Sequence, residues 1–240
     1  MAIPPKNMSQ TDFSRAVEHV IRERKTTKVL RDPASENDLS LAPDFSELID
    51  KLLDIAGWAP FHKIAHAETH LHAPLDSIVP WRFYVIEQAT CQAVLNYLEQ
   101  QAHTASDPKW AIAWASKIPR LIAATGALIL VTWLPDPAPD GPLPVMNENN
   151  IEHIAAASAA VQNLLLAAEA HGLFSYWCTG GILADADVFR YFDIPLTQRL
   201  LGAIFLRPQT EIEDPITVQP GALRHKRGPS SSWSRRIELP

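Results

Sequence analysis

Apolar residues recur along this chain with two different periods, and the switches between them divide it into elements. From Asp12 to about Glu23, the residues Phe13, Ala16, Val17, Val20 and Ile21 fall three and four apart, which is one helix face, and basic residues follow at its C-terminal end. Residues 26–43 are polar and irregular. A second helix, about Phe45 to Trp58, gathers Leu48, Ile49, Leu52, Leu53 and Ala56 on one side. It must stop at Ala59-Pro60, because proline disfavours helical backbone in the residue before it. Trp81 to Ile86 is a run of aromatic and β-branched residues and predicts a strand. Helical patterns over roughly 89–103 and 108–117 lead into Leu121 to Trp133, an apolar run suited to a central strand despite Gly126 inside it.

After a proline-rich loop, Pro135 to Pro144, comes the clearest element, Ile151 to His171. Ile154, Ala155, Ser158, Val161, Leu165 and Ala168 keep helical spacing while Ala and Leu cover most other faces, so a central, buried helix is expected. Gly172 ends it as a C-cap would. Phe174 to Cys178 reads as a short strand, Ala184 to Phe192 as a helix before Ile194-Pro195, and Leu200 to Leu206 as the last strand. Residues 207–240 form a tail of turns and charges. This order predicts an α+β sandwich, with helices flanking one mainly antiparallel central sheet.

Composition narrows the function classes. At 240 residues, 47% hydrophobic and 20% charged, the chain suits one domain, 1–240, with a substantial core. A formal charge of −6 gives no basis for nucleic acid as a partner, so an anion site must be a local basic cluster. The two cysteines, Cys91 and Cys178, lack CxxC spacing, which argues against a disulfide framework and for a reducing, cytoplasmic compartment. The first twenty residues contain no signal-type apolar run, and Leu121 to Leu134 is short of the ~20 residues a bilayer needs, so no membrane partner is expected.

One basic cluster stands out. Arg22, Arg24, Lys25 and Lys28 fall together at a helix end, with the Thr26 and Thr27 hydroxyls between them. A phosphate monoester needs this mixture of cations and neutral donors. The bland alternative is a solvated helix end whose cations complement the C-terminal dipole. Residues 61–80 hold a second cluster, in which His62, His66 and His70 lie four apart and His72 follows. Such spacing can suit Zn²⁺, but the Glu of an HExxH motif is missing from His62-Lys63-Ile64-Ala65-His66, so a polar lid is expected and no metal site. Trp110 and Trp114 read as packing or lid residues, and Gln162 and Asn163 as amides meeting buried backbone or subunit partners. Cys178 has no His-Asp constellation in the sequence and reads as a small packing residue.

The order of the motifs carries more than any one of them. Arg24-Lys25-Thr26-Thr27-Lys28 after the first helix, Ala59-Pro60 after the second and Pro80-Trp81-Arg82-Phe83 opening a strand are collinear with Ala160-Val161-Gln162-Asn163-Leu164-Leu165-Leu166-Ala167-Ala168. Gly172-Leu173, Trp177-Cys178-Thr179-Gly180, Asp193-Ile194-Pro195 and the tail Arg224-His225-Lys226-Arg227 complete the series. Together they resemble the nitroreductase family over nearly the whole chain. The resemblance implies a nitroreductase-like sandwich completed by dimerisation, with FMN at the homodimer interface. It also implies NADH or NADPH as electron donor, and ping-pong transfer through flavin N5 to a nitroaromatic, quinone or related small acceptor. Residue by residue, Arg24 and Thr26 would hold the phosphate, Lys25 the phosphate or ribityl chain, and Lys28 the pyrimidine side of the ring. Arg227, with Lys226, would close on the phosphate from the tail. Trp177, Cys178, Thr179 and Gly180 would lie beside the ring, with Trp58 and His62 as further flavin contacts. No side chain need act as acid or nucleophile, since the flavin does the chemistry. The chain departs from the family in the 61–80 insertion, in Val79 where Gln is usual, and in Arg207-Pro208 where Gly is common. A flavin-binding protein without turnover and a hydrolase using the His segment are the alternatives from other classes.

Overall fold

The computed structural model of the chain describes residues 8–35, 39–64, 75–136, 146–209 and 216–239. The first helix, α1 (Gln10–Glu23), starts where Ser9 Oγ accepts the Asp12 amide at 3.1 Å. None of its residues is buried, so its apolar stripe is not covered by the described residues of the chain. The segment after it, expected to be irregular, contains a strand, β1 (Thr27–Leu30), with Thr27, Val29 and Leu30 buried. Its partner is β6 (Thr217–Pro220), inside the tail expected to hold only turns. Each strand is four residues long and its partner lies at the other end of the chain, so neither shows a local period.

The main sheet has four strands in the order β2-β3-β5-β4, all antiparallel. They are β2 (Trp81–Glu87), β3 (Ala127–Trp133), β4 (Leu173–Cys178) and β5 (Arg199–Pro208). Every residue of β3 is buried, because helices cover both faces of this central strand. On one face α2 (Phe45–Gly57) and the long α6 (Glu148–Ala170) set Ile49, Leu52, Val161 and Leu164 against Ile129, Val131 and Ile204. On the other, α3 (Gln88–Thr104) and α5 (Lys117–Ala124) set Leu95, Leu98, Leu121 and Ile122 against Leu128, Leu130 and Phe205. Each such fully buried side chain contributes about 1.5–3 kcal/mol of transfer free energy. A short α4 (Lys109–Trp114) precedes α5, and Trp110 is buried edge-on to Tyr97, which is the packing role expected for it.

The apolar run expected to be strand from Leu121 onward is helix as far as Ala124, and the strand begins at Ala127. Ser116 caps α5, its Oγ accepting the Ile118 amide at 3.1 Å, and Pro119 sits in the first turn, where a missing N–H is harmless. The apolar run is thus shared between two buried elements. The helix expected from Ala184 to Phe192 is a 3₁₀ turn, Gly181–Ala184, followed by α7 (Ala186–Tyr191). Helix α6 is long and apolar enough to cross a membrane by length and composition, but Ala156, Ala157, Ala160, Val161, Leu164 and Leu165 lie in the core, which accounts for its character. Gln162 on it is exposed and Asn163 half-buried, so within the chain Gln162 does not serve buried backbone.

Buried Arg82 fixes the end of the 61–80 insertion. Its Nε donates to the Leu75 carbonyl, Nη1 to those of Val79 and Trp81, and Nη2 to that of Ser77, at 2.7–3.2 Å. His66, His70 and His72 of the proposed lid lie outside the described residues.

Candidate functional site

The basic motif is built where both ends of the chain meet. Beyond α1 the chain turns at Arg24, and a parallel bridge between Thr26 and Ser175 lays it alongside β4. The Gly221 amide donates to the Thr26 carbonyl at 2.7 Å, continuing the β1–β6 ladder into the tail. Arg224 Nη1 donates to the carbonyls of Glu23 at 3.0 Å and Arg24 at 3.4 Å. Arg224 therefore satisfies the C-terminal end of α1, the task that the bland reading gave to Arg24 and Lys25. Arg22 pairs with Glu18 at 3.3 Å, as a surface helix cation would. Arg24, Lys25 and Lys28 are half-buried, and among the described residues no carboxylate lies within 4 Å of any of them. In a chain of net charge −6, that is a local excess of cation with no counter-charge among the described residues.

Lys28 points along β4. Its Nζ is 5.7 Å from the ring centroid of Tyr176, and Lys117 Nζ approaches the same ring at 5.1 Å. Lys117 also donates to the Tyr176 hydroxyl at 2.6 Å. Two ammonium groups are thus held at one buried phenol, and Lys117 too is without a carboxylate partner among the described residues. Sequence reasoning missed both Lys117 and Tyr176. Lys117 opens α5, far from the motif, and no local spacing marks it; Tyr176 lay inside the Phe174 to Cys178 strand but read only as an apolar position.

Beyond Tyr176, Trp177 and Cys178 end β4, paired with Ile204 and Ala203 of β5. A Cβ on Gly202 would overlap the Trp177 indole nitrogen and lie 2.5 Å from the Cys178 carbonyl, so only glycine lets the indole lie against β5 here. Thr179 follows, then Gly180 and Gly181 with φ of +90° and +57°, a left-handed pair that turns the chain sharply and leaves their amides on the loop. Burial pushes the Cys178 thiol up, outweighing the Gly180 amide and Lys117, so it stays protonated as expected of a packing residue.

The cation turn, the Lys28–Tyr176–Lys117 cluster and the Trp177–Gly180 strand end therefore form one continuous track along β4. Lys226 and Arg227 are exposed on the tail beside it, with Arg227 Nη1 donating to the Arg224 carbonyl at 3.2 Å. Trp58 and His62 sit elsewhere. Trp58, at the end of α2, is 81% exposed, and His62 meets Glu152 of α6 at 3.4 Å. No described hydrogen bond, ion pair or ring contact links either to the track. Among the described residues, no group of three or more His, Cys, Asp or Glu could hold a metal ion.

Comparisons with known proteins bear on this arrangement. Among solved structures, the chain is similar to a nitroreductase-like family protein from Bacillus cereus, with a TM-score of 0.62 at 19% identity over 99% of this chain and 100% of that one. A nitroreductase family protein from Clostridium difficile gives 0.53 at 18% identity, covering 93% and 98%. A nitroreductase with bound FMN from Desulfitobacterium hafniense gives 0.50 at 15%, covering 92% and 98%. Among curated proteins there is no match. The nitroreductase family model matches residues 46–206, which takes in α6 and nearly all of α2 and the main sheet but begins beyond the basic motif. With that match over more than half of its length and an antiparallel sheet layered between helices, the chain belongs to the nitroreductase family.

Proposed function

We propose that the protein is an FMN-dependent oxidoreductase, a single domain over residues 1–240 that takes electrons from NADH or NADPH and passes them to a nitroaromatic, quinone or related flat acceptor. The observation that carries this reading is the cation track along β4, which has no carboxylate partner among the described residues. Its donor set fits the cofactor from end to end: guanidinium, ammonium and hydroxyl at Arg24, Lys25 and Thr26 suit a phosphate, and Lys28 with Lys117 suits the electron-rich pyrimidine edge of a flavin ring. FMN-bound relatives of the same fold, such as the D. hafniense protein, support the choice of cofactor.

A bound flavin would supply the two-electron chemistry, and the protein's part is to bind, orient and tune. Arg24, Lys25 and Thr26 hold the phosphate, with Lys226 and Arg227 reaching it from the tail. Lys28 and Lys117 place positive charge where reduction adds negative charge, and being held beforehand they need no reorganisation. The Thr179–Gly181 amides present donors to the ring edge, and Trp177 and Cys178 wall it. Trp58 and His62, away from the track, would be contributed by a second copy in a homodimer. Two free thiols suit a cytoplasmic setting.

Titration with FMN and riboflavin tests the phosphate assignment. FMN should bind much more tightly, and because charge-assisted hydrogen bonds are worth ~1.5–3 kcal/mol, Arg24→Ala should weaken FMN at least about tenfold while leaving riboflavin unchanged. Equal affinity for the two flavins would remove the reading. Anaerobic mixing of the loaded protein with NADH and NADPH should bleach the flavin absorbance, and a flavin that stays oxidised with both points to binding without turnover.

A further inference from the structure

Just beyond the Thr179–Gly181 loop, the chain at Asp185 and Asp187 is held by a charge cluster to which the proposed flavin site assigns no role. Lys109, the first residue of α4, has its Nζ 2.9 Å from Asp185 Oδ2, 3.5 Å from Asp187 Oδ2 and 3.6 Å from Asp107 Oδ2. The same ammonium lies 5.2 Å from the ring centroid of buried Trp110, which anchors α4 in the core. Asp187 is also engaged by Arg190 at 2.6 Å. Asp185 is the pivot of the group. Its Oδ1 accepts the Asp187 amide at 3.0 Å and caps α7, while its own amide donates to Ile182 at 3.0 Å. At the other end of the turn the Leu183 amide donates to the Gly180 carbonyl at 3.2 Å.

The turn from Gly180 to Asp185 therefore runs between two fixed points. Gly180 is pressed against Leu200, where a Cβ would overlap Leu200 Cδ2, and Asp185 is held by Lys109. Gly180 and Gly181 have the widest backbone freedom of any residue, so their geometry must be imposed from outside. Both charges of the central pair are secure at neutral pH. The bond to Asp185 holds Lys109 above its ordinary value against a smaller desolvation cost. Partial burial pushes Asp185 up, but the Asp187 amide and Lys109 outweigh it and leave it below its ordinary value.

We infer that Lys109 is a positioning residue: by gripping Asp185 and Asp187 it sets the Thr179–Gly181 amides that face the flavin ring. The inference rests on the flavin reading. Hydrogen exchange of Lys109→Met and Lys109→Arg, with and without saturating FMN, tests it alongside the flavin midpoint potential. A partly exposed ion pair of this kind is worth roughly a three- to fivefold change in an opening equilibrium. Lys109→Met should therefore speed exchange over residues 179–187 by about that factor in both states, leave β3 unchanged, and shift the midpoint potential. Lys109→Arg should restore both. Unchanged exchange at 179–187, or equal acceleration in β3, overturns the clamp. A shifted exchange with an unmoved potential overturns the positioning role alone, whereas a wild type that binds no FMN overturns the flavin reading itself.

Discussion

Lys28 and Lys117 share the Tyr176 ring but differ in setting, and the difference should be measurable. Two-electron reduction makes a flavin pyrimidine more negative, so in the proposed site each ammonium would stabilise the reduced form more than the oxidised one. At ~30 mV per 1.4 kcal/mol for a two-electron couple, losing ~1–3 kcal/mol in Lys28→Met should lower the midpoint potential by ~20–65 mV. Lys117→Met should lower it less, because Lys117 is exposed where Lys28 is half-buried. Spectroelectrochemical titration of both variants checks this, and two unchanged potentials would take the lysines out of the site. Gly202 makes a different demand. An added methyl must displace the Trp177 indole or the Cys178 carbonyl, so Gly202→Ala should cost about 1–3 kcal/mol in urea unfolding. Gly57 has open space within 4 Å, and Gly57→Ala should instead stabilise by about 0.4–1 kcal/mol. Sequence could show Lys28, because a motif surrounds it. It could not show Lys117 or the need for Gly202, since each is set by a side chain brought in from another element.

Among the elements, α1 was legible as an amphipathic helix, and its apolar face is left uncovered by the described residues. Val17 and Ile21 stay 45% and 54% exposed, which is the surface a second copy would cover in the proposed homodimer. Ile21→Glu should then shift light scattering from dimer to monomer while circular dichroism keeps its helical signal; a dimer that persists puts the interface elsewhere. The long helix was readable because its helical spacing is sustained, and the main-sheet strands because each is an aromatic, β-branched or apolar run. The α5–β3 boundary was not, because burial makes helix and strand equally apolar and erases the period. Helix α4 carries a pH expectation through Lys109. Asp185 has a lowered pKa, so its contribution is present above the ordinary aspartate value of 3.8 and is lost as pH falls through the lowered one. Lys109 has a raised pKa, so its contribution is present below 10.5 and is lost as pH rises through the higher value. The difference in thermal midpoint between wild type and Lys109→Met should therefore be flat across the neutral range and shrink at both extremes. A difference that persists in strong acid would show packing rather than charge at work.

For the molecule as a whole, family and sheet architecture were readable from collinear motifs, although the family match itself begins only at residue 46. What holds the first part of the site in place was hidden, because it is supplied by the last part of the chain. Thr27 pairs with Pro220 and Leu30 with Thr217, so the basic strand acquires its partner only after nearly everything between them has been threaded into the sheet. That pairing closes a very long loop, and chain entropy makes such contacts late and comparatively weak to keep. During synthesis, the four-stranded sheet has all its strands before residues 217–220 emerge, whereas β1 waits for them to supply its partner. Newly made protein should thus pass through a stage in which the main sheet is folded while the basic strand is still unpaired. An anion bound by the proposed track would then act as a latch on β1 and β6, adding its own binding free energy to that pairing.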